Sequence, residues 1–433
     1  MKKQIQILII ALSVIVAFVM VADAQGGWRP LESGTDTYLF DVAFANDSIG
    51  IAIGSGTTIV RTIDGGQNWT LNFLDLEALN YSADMAEGGR GAIIIGGAIA
   101  RTIDAGVTWN LIIDEIGGYF DIEFLDNNIA GAVGCNAISI PRLTLSTDGW
   151  STYSDTAFYI EHEGNWHSGS FRGIGYADSN NICMAGIALD IASDMGAIVR
   201  STDGGGSWST VYWNWHLLLD IDFPSPATGY AVGTEGFIVK TTDGGANWDS
   251  LRSGVEVILW SLSLIDDMTG IVVGEGGKII GTTDGGQTWI SQESGTSVAL
   301  RGVEMLSPNV AYVAGDSGTI LYTENGGWPS EDCDYAVGDI NGDGSANGID
   351  VTYGVRYFKG GSAPPDSCDC PPLAFPFYAA GDVNGDCVFN GIDITYYVAY
   401  LKRLQPVLRY CADCPPLGYI TNKIIKTIKR GDE

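Results

Sequence analysis

A nine-residue string of the form K/R-T-x-D-G-G-x-x-W recurs through the first three quarters of this chain. Its five best copies are RTIDGGQNW (61–69), RTIDAGVTW (101–109), RSTDGGGSW (200–208), KTTDGGANW (240–248) and GTTDGGQTW (281–289). Two weaker copies are LSTDGW (145–150) and YTENGGW (322–328). The copies lie about 40–55 residues apart, a period that is typical of propellers and related arrays. Seven copies therefore predict seven structural units.

Each unit contains short apolar segments separated by turns rich in Gly, Asn, Asp and Pro. In the fifth unit, the segments 217–223, 230–233 and 237–242 are predicted strands, and a fourth strand begins at Asn247. Four antiparallel strands in each of seven units predict an all-β, seven-bladed propeller. In the repeated string, the Asp accepts backbone N–H bonds of its turn, the glycines allow positive φ, and the Trp covers the neighbouring blade.

The two ends of the repeated region resemble each other. The string WRPLESGT (28–35) matches WISQESGT (289–296), which leads out of the sixth copy. The seventh copy ends at Trp328 without such a strand. We therefore expect residues 28–33 to supply the outer strand of the last blade and to close the ring, which removes an exposed sheet edge.

The repeated string resembles the Asp-box, or BNR repeat, of sialidases and related propellers. The longer pattern resembles the photosystem II stability/assembly factor-like propellers. This resemblance implies the fold and assigns no activity, because one fold hosts many activities.

An enzymatic function is the alternative to a binding function. A sialidase-like or other polysaccharide-degrading glycoside hydrolase could use a pair of carboxylates. However, Arg61, Arg101 and Arg200 fill one repeated position, so they indicate blade architecture rather than the arginine triad of sialidases, and the nearest string to the sialidase motif, 140–142, has the wrong order. We assign no catalytic residue and favour a protein that is not an enzyme.

The repeat is irregular in its third to fifth units. The loops 134–143 and 186–197 are long, and so are the connectors 152–171 and 211–219. The two connectors hold all three histidines together with three tryptophans: His162, Trp166, His167, Trp213, Trp215 and His216. Three interpretations stay open, namely a carbohydrate- or peptide-binding face, loops that pack on one another, and a metal site at His162 and His167.

A second repeat follows the propeller. The strings DINGDGSANGID (339–350) and DVNGDCVFNGID (382–393) place oxygen atoms at the positions of an EF-hand-like calcium loop. We expect two Ca²⁺ sites, with Asp-rich surface turns as the alternative. The expected ligands are Asp339, Asn341, Asp343, Ser345, Asn347 and Asp350 in the first loop, and Asp382, Asn384, Asp386, Val388, Asn390 and Asp393 in the second.

A loop followed by one helix resembles a dockerin type I repeat. The resemblance implies Ca²⁺-dependent docking to a cohesin-like partner through Gly348, Ile349, Gly391 and Ile392, and a calcium-stabilised stalk is the alternative. Helical spacing predicts one apolar stripe on each helix. The stripes contain Val351, Val355 and Phe358 on the first helix, and Ile394, Val398 and Leu401 on the second.

Six of the eight cysteines lie close to this second repeat. In an exported chain they indicate disulfides, with a four-thiolate zinc site as the alternative. These candidates are Cys333, Cys368, Cys370, Cys387, Cys411 and Cys414. Cys135 and Cys183 lie within apolar segments and are expected to be buried free thiols.

The chain begins with two lysines, an apolar run and a small-x-small site at 22–24, which predicts a signal peptide over residues 1–24, with an uncleaved anchor as the alternative. The expected domains are a propeller over 25–330, the calcium module over 331–417 and a basic tail over 418–433. A formal net charge of −30 argues against nucleic acid as a partner. These features predict a secreted or cell-surface binding protein without a membrane span after cleavage, acting in polysaccharide catabolism on a cohesin-bearing scaffold.

Overall fold

The computed structural model describes residues 27–73, 80–113, 118–190, 193–328, 339–340, 345–359, 383 and 391–404. The chain divides into two compact units, 1–329 and 330–433. The predicted signal peptide and the basic tail lie outside the described residues. Within the described part, no helix is long and apolar enough to cross a membrane.

The first unit is a seven-bladed propeller, as the repeat predicts. Blades one to three contain the strands β2 Leu39–Phe44, β3 Gly50–Gly54, β4 Thr58–Thr62, β5 Thr70–Phe73, β6 Asn80–Ala86, β7 Arg90–Ile95, β8 Ala98–Thr102, β9 Asn110–Ile113, β10 Gly118–Phe124, β11 Ala130–Cys135, β12 Pro141–Ser146 and β13 Ser154–Ala157. Blades four and five contain β14 Ile160–His162, β15 Asn165–Tyr176, β16 Ile182–Leu189, β17 Met195–Ser201, β18 Ser209–Asn214, β19 Leu218–Asp222, β20 Gly229–Gly233, β21 Phe237–Thr241 and β22 Asp249–Arg252. Blades six and seven contain β23 Leu259–Leu264, β24 Gly270–Gly274, β25 Ile279–Thr282, β26 Ile290–Gln292, β27 Leu300–Met305, β28 Ala311–Gly315 and β29 Thr319–Gly327.

The ring closes through the N-terminal strand β1 Gly27–Leu31, which confirms the prediction for residues 28–33. The last sheet has the order β1-β29-β28-β27, with Leu31 opposite Ile320. Trp28 is buried, and its indole Nε1 donates a hydrogen bond of 2.7 Å to Oε1 of Gln292 in blade six. The Gln292 amide donates in turn to the Gly326 carbonyl at 2.9 Å. The first strand therefore ties the last two blades together.

The hydrophobic core lies between neighbouring blades. Second strands such as β3 and β20 are buried along their whole length because sheets cover both of their faces. The Trp of each repeated string packs against the preceding blade, as Trp289 does edge-on against Tyr230. Trp248 likewise packs on the cluster that contains Cys183 of blade four.

The turn of each repeat depends on a buried hydroxyl that the sequence argument overlooked. Thr241 lies two residues before Asp243 and donates to its Oδ1 at 2.8 Å, while its oxygen accepts from the Gly245 N–H at 3.0 Å. Asp243 then accepts from the backbone and side chain of Asn247 at 2.9 and 2.8 Å. A buried Ser or Thr occupies this position in all seven units: Thr62, Thr102, Ser146, Ser201, Thr241, Thr282 and Thr323.

The basic residue that begins the repeated string joins adjacent blades. Arg61 donates to the Ala105 carbonyl at 2.6 Å, and Arg200 donates to the Gly244 carbonyl at 2.7 Å. Each acceptor belongs to the repeat turn of the following blade. Arg101 makes the same kind of contact with the Gly149 carbonyl. These arginines therefore have the architectural function expected from their repeated position.

Blade four differs from the others because it has five strands, in the order β14-β15-β16-β17-β18. The predicted long loop 186–197 is mostly strand, since β16 continues to Leu189 and β17 starts at Met195. The connector 152–171 likewise contains the hairpin of β14 and β15. The extra residues therefore lengthen the blade, which corrects the expectation of loops.

The second unit contains two described helices, α1 Gly348–Phe358 and α2 Gly391–Leu401. The helices approach closely at Gly354, where an added Cβ would lie 2.4 Å from Cδ1 of Ile394. Ile340, Val383 and Tyr397 are buried in the core of this unit.

The residues of the predicted apolar stripes are divided between the core of this unit and its surface. Val351, Tyr353, Ile394, Tyr396 and Tyr400 pack on that core. Val355, Phe358 and Leu401 are instead exposed among the described residues. The helices meet where Ile394 of α2 packs over Gly354 of α1, and the exposed stripe residues lie away from that contact.

Candidate functional site

The irregular blade four carries a surface of aromatic and histidine side chains, which we call the blade-four patch: His162, Trp166, His167, Trp213, Trp215 and His216. Trp166 and Trp215 are 69% and 72% exposed. Trp166 sits on the hairpin of β14 and β15, opposite Glu161. Trp215 follows the last strand of the same blade. Two large aromatic side chains on one blade thus face solvent.

Part of the patch is held together by ring stacking. The His162 ring stacks on the Trp213 ring at 4.3 Å, and the His167 ring lies 4.9 Å from it. The hydroxyl of Thr210 in β18 donates to the Glu161 carbonyl, which ties the hairpin to the outer strand. The structure thus brings three of the predicted residues together as a rigid support.

His216 belongs to a second ring cluster. Its ring stacks on Phe237 of blade five at 4.1 Å, and Trp215 lies edge-on to it at 5.6 Å. Its Nδ1 lies 3.6 Å from Oε2 of Glu235. His216 is therefore engaged with blade five, whereas His162 and His167 share Trp213.

The proposed metal site at His162 and His167 has no support in the described part of the chain. There, no group of three or more His, Cys, Asp or Glu side chains is placed to hold a metal ion. Both rings instead contact Trp213, His162 by stacking and His167 at a tilt.

A second candidate site is a cavity of about 260 Å³ on the axis of the propeller. Inner strands of blades one to three and five to seven line it. Among the described residues, its wall contains no Lys, Arg or His and includes seven carboxylates: Asp41, Asp84, Asp121, Glu123, Asp220, Asp222 and Glu304. We call this the axial cavity.

The five aspartates of the axial cavity connect neighbouring blades. Asp41 of blade one accepts from the Ala83 N–H of blade two at 2.9 Å. Asp220 of blade five accepts from the Leu262 N–H of blade six at 2.9 Å. Asp84, Asp121 and Asp222 accept from the next blade in the same way. No such bond from a described residue reaches Glu123 or Glu304.

Enclosure changes the acidity of these carboxyls. Burial raises the pKa of Asp41 to about 7, although its backbone N–H partners lower it. Burial likewise raises the pKa values of Asp84 and Asp222 to about 6. For Glu123 and Glu304, burial and then the charges of nearby carboxylates raise the pKa well above the usual range. These side chains keep partial contact with water because they face the cavity.

Sequence reasoning missed the axial cavity, although a signal for it exists. Asp or Ser occupies equivalent positions of the inner strands in five blades: Asp41, Ser82, Asp121, Asp220 and Ser261. A pattern of this kind has meaning only once the inner strands are known to face a common axis.

In the second unit the structure describes some of the predicted calcium ligands. Asp350 is fully buried, and its Oδ2 accepts from the Asn347 N–H at 2.8 Å. Asp393 occupies the equivalent position, is also fully buried and accepts from the Val383 N–H at 3.2 Å. Asp339 is buried, and Ser345 precedes α1. The remaining predicted ligands and the six candidate disulfide cysteines lie outside the described residues.

The predicted docking residues of this unit lie at the starts of the helices. Ile349 and Ile392 occupy equivalent positions, and both are exposed. Each follows the first residue of its helix, Gly348 or Gly391. Elsewhere in the chain, Cys183 is a buried free thiol and Cys135 a half-buried one.

Comparison with known proteins identifies one family. Residues 20–116 and 211–341, together more than half of the chain, match the family described as Photosynthesis system II assembly factor YCF48. The Photosystem II assembly lipoprotein Ycf48 of Synechococcus sp. (strain RCC307) is 36% identical over 55 residues, which is 13% of this chain and 17% of that protein. The aligned segment thus spans less than one fifth of the relative.

Solved structures share the propeller fold. YCF48 bound to D1 peptide superposes with a TM-score of 0.53 at 19% identity, covering 69% of this chain and 96% of that one. YCF48 from Cyanidioschyzon merolae superposes with a TM-score of 0.54 at 17% identity, covering 69% of this chain and 98% of that one. The WD40 propeller domain of Doa1 superposes with a TM-score of 0.51 at 13% identity, covering 70% of this chain and 98% of that one.

These matches overturn the functional expectations drawn from the sequence. The matched family is one of assembly factors, so the expected scaffold-docking binding protein and its glycoside hydrolase alternative are both wrong. The cohesin-like partner is wrong as well, since the matched relative is bound to a D1 peptide. Nothing in the matches supports carbohydrate binding or polysaccharide catabolism. The family match ends at residue 341, so the dockerin resemblance of residues 338–404 gains no support from it.

Proposed function

Because the chain belongs to the Photosynthesis system II assembly factor YCF48 family, we propose that its propeller binds an extended peptide segment of a client protein during assembly. The observation that carries this proposal is the exposure of Trp166 and Trp215 on the blade-four patch. Trp166 is on the first hairpin of blade four and Trp215 follows its last strand, and exposed apolar side chains of this size often mark an interaction surface. A related propeller is described as bound to D1 peptide, which supports a peptide as the ligand class.

The construction of the patch supports a preformed binding site. The rings of His162, His167 and Trp213 hold one another, so the hairpin that presents Trp166 is ordered before any ligand arrives. The adjacent turn of blade three adds Ile138, which is 73% exposed, and the Gly169 N–H donates to the Ser139 carbonyl. A rigid aromatic surface loses little entropy when it binds a peptide.

We expect a synthetic D1 peptide to bind the full-length protein more tightly than a scrambled peptide of the same composition. Trp166→Ala and Trp215→Ala should each raise the dissociation constant about tenfold, because exposed aromatic residues are frequent binding hot spots. Isothermal titration calorimetry measures both effects. The matched control is Tyr38→Ala, an aromatic residue that is 53% exposed in blade one. Equal binding of the two peptides, or an equal loss in the control, would contradict the proposal.

A second function is proposed for the C-terminal unit, namely the binding of two Ca²⁺ ions in a dockerin-like duplicated loop. The support is that Asp350 and Asp393, both at the twelfth loop position, are fully buried. Burying a carboxylate is costly unless hydrogen bonds or a cation compensate its charge. Oxygen ligands at these loop positions suit Ca²⁺, which would hold the loops against the helices.

Calcium should raise the melting temperature of the C-terminal unit, and EDTA should reverse the change, since a ligand that binds only the folded state stabilises it. Calorimetric titration of the full chain should give two ions per chain. Asp350→Ala and Asp393→Ala should each reduce that number to one, whereas Asp249→Ala, at an exposed position of β22, should leave it at two. Identical melting with calcium and with EDTA would count against the site.

We also propose that the protein is exported. The support is the signal-like pattern of residues 1–24, and the Synechococcus relative is itself named as a lipoprotein.

A further inference from the structure

We propose that the axial cavity receives the cationic end of a lysine or arginine side chain from the bound peptide, with Glu123 and Glu304 as its partners. This inference rests on the proposed peptide-binding function and adds a preference for a basic residue.

Glu123 and Glu304 differ from the other carboxylates of the cavity. The aspartates accept backbone N–H bonds from a neighbouring blade, so their charge has a structural partner. Neither glutamate accepts a hydrogen bond from a described residue. Both are half-buried and line the axial cavity, so a group that enters the cavity can reach them. Since no described residue donates to them, a cationic side chain would supply the hydrogen-bond donors that only water otherwise provides.

The dimensions and chemistry of the cavity favour an organic cation. A volume of about 260 Å³ is several times the share of one water molecule, roughly 30 Å³ in the liquid, so a guanidinium or ammonium group fits together with water. Carboxylates form short, charge-assisted hydrogen bonds with such groups. A metal ion needs several ligands converging on one point, and the described residues form no such group.

The topology places the cavity within reach of a ligand on the blade-four patch. The inner strands begin on the face of the ring where one blade connects to the next, and the hairpin that carries Trp166 is part of such a connection. Asp121 lies nearer to this face than Glu123, which is two residues or about 7 Å further along β10. A basic side chain that enters from this face passes Asp41, Asp121 and Asp220 and then reaches the level of the two glutamates, which Asp84 and Asp222 share.

The first test uses a matched pair of small probes, agmatine and the uncharged butylurea, with the full chain at about pH 8, because a higher pH favours the ionised form of the carboxyls. Ligand-observed NMR should detect binding of agmatine and none of butylurea. Glu123→Gln and Glu304→Gln should each weaken agmatine about tenfold. The control Glu256→Gln, at an exposed position in blade six, should have no effect. Absence of agmatine binding, or equal losses in all three variants, would overturn the proposal.

The second test identifies the source of the cation. A peptide with one arginine should bind more tightly than agmatine and lose affinity when citrulline replaces that arginine, since citrulline keeps the shape without the charge. Equal affinity of peptide and agmatine would show a site for free amines and overturn the peptide assignment. Displacement of agmatine by a lower concentration of Ca²⁺ would overturn the organic-cation assignment. If the D1 peptide is weakened by Trp166→Ala but unchanged in Glu304→Gln, this inference fails while the proposed function stands.

Discussion

Replacing Trp28 with alanine should lower the free energy of unfolding of the propeller by about 3–5 kcal/mol, the usual cost of removing a buried tryptophan. The indole is only 3% exposed and packs on apolar residues of blades six and seven. It also donates the hydrogen bond that orients Gln292, whose amide holds the Gly326 carbonyl. The substitution thus leaves a cavity and a buried amide oxygen without its donor at the point where the ring closes.

Chemical denaturation followed by tryptophan fluorescence and circular dichroism measures this loss. The matched control is Trp215→Ala, which removes the same side chain from an exposed position and should change the stability by less than about 0.5 kcal/mol. Deletion of residues 26–34 should destabilise the propeller further because β29 then becomes an exposed edge. An unchanged unfolding midpoint in Trp28→Ala would show that the ring does not depend on β1.

Glu304→Gln should stabilise the propeller at about pH 8 and have little effect at about pH 4. The folded-state pKa of Glu304 lies well above its usual value because of burial and of the charges on Asp84 and Asp41. A raised pKa means that the folded protein binds the proton more tightly than the unfolded chain does. The resulting contribution to stability is complete at a pH below the pKa that Glu304 has in the unfolded chain. It is lost as the pH rises through the pKa that Glu304 has in the folded protein. Glutamine carries no charge and avoids that loss.

The pKa values of the other carboxyls of the axial cavity are also raised, so their contribution to stability is likewise lost as the pH rises. The pKa of Asp41 is raised to about 7. Each unit of such a pKa difference between the folded and the unfolded state corresponds to about 1.4 kcal/mol of unfolding free energy. The exposed repeat aspartates act in the opposite direction, since hydrogen bonds lower the pKa of Asp203 and of Asp243 to about 2. Their contribution is lost on acidification, and solvent screening keeps it small.

Thermal melting from about pH 3 to pH 9 should therefore show greatest stability on the acidic side of neutrality. In Glu304→Gln the decline towards alkaline pH should be shallower. Glu256→Gln, an exposed carboxyl, should follow the unmodified protein. A melting temperature that rises steadily from pH 5 to pH 9 would contradict the assigned direction of these pKa shifts.

The sequence predicted the parts of the fold that depend on a local pattern. The spacing of the repeats determines the blade count, and the match of 28–35 with 289–296 reveals the closing strand. The buried hydroxyl at Thr241 escaped notice because Thr is common in strands and no property of the residue alone marks a turn contact.

The candidate sites were less predictable because they depend on distant parts of the chain. Trp166 and Trp213 stood out by composition, but only the folded hairpin shows that Trp213 supports two histidines while Trp166 faces solvent. Glu123 and Glu304 lie far apart in the sequence and share a cavity only once the ring is closed. Alternation along a strand shows which residues share a face, but it does not show what that face meets.

The closing contact also affects how the protein is made. Trp28 and its hydrogen-bond partner Gln292 are separated by 264 positions. At ordinary synthesis rates of about 5–20 residues per second, Trp28 waits roughly 13 to 53 seconds for Gln292, and longer for the strand β29 that pairs with β1. During that interval the growing chain presents an unpaired strand and a set of incomplete sheets. A prematurely terminated chain lacks the acceptor altogether, so ring closure distinguishes finished molecules from truncated ones.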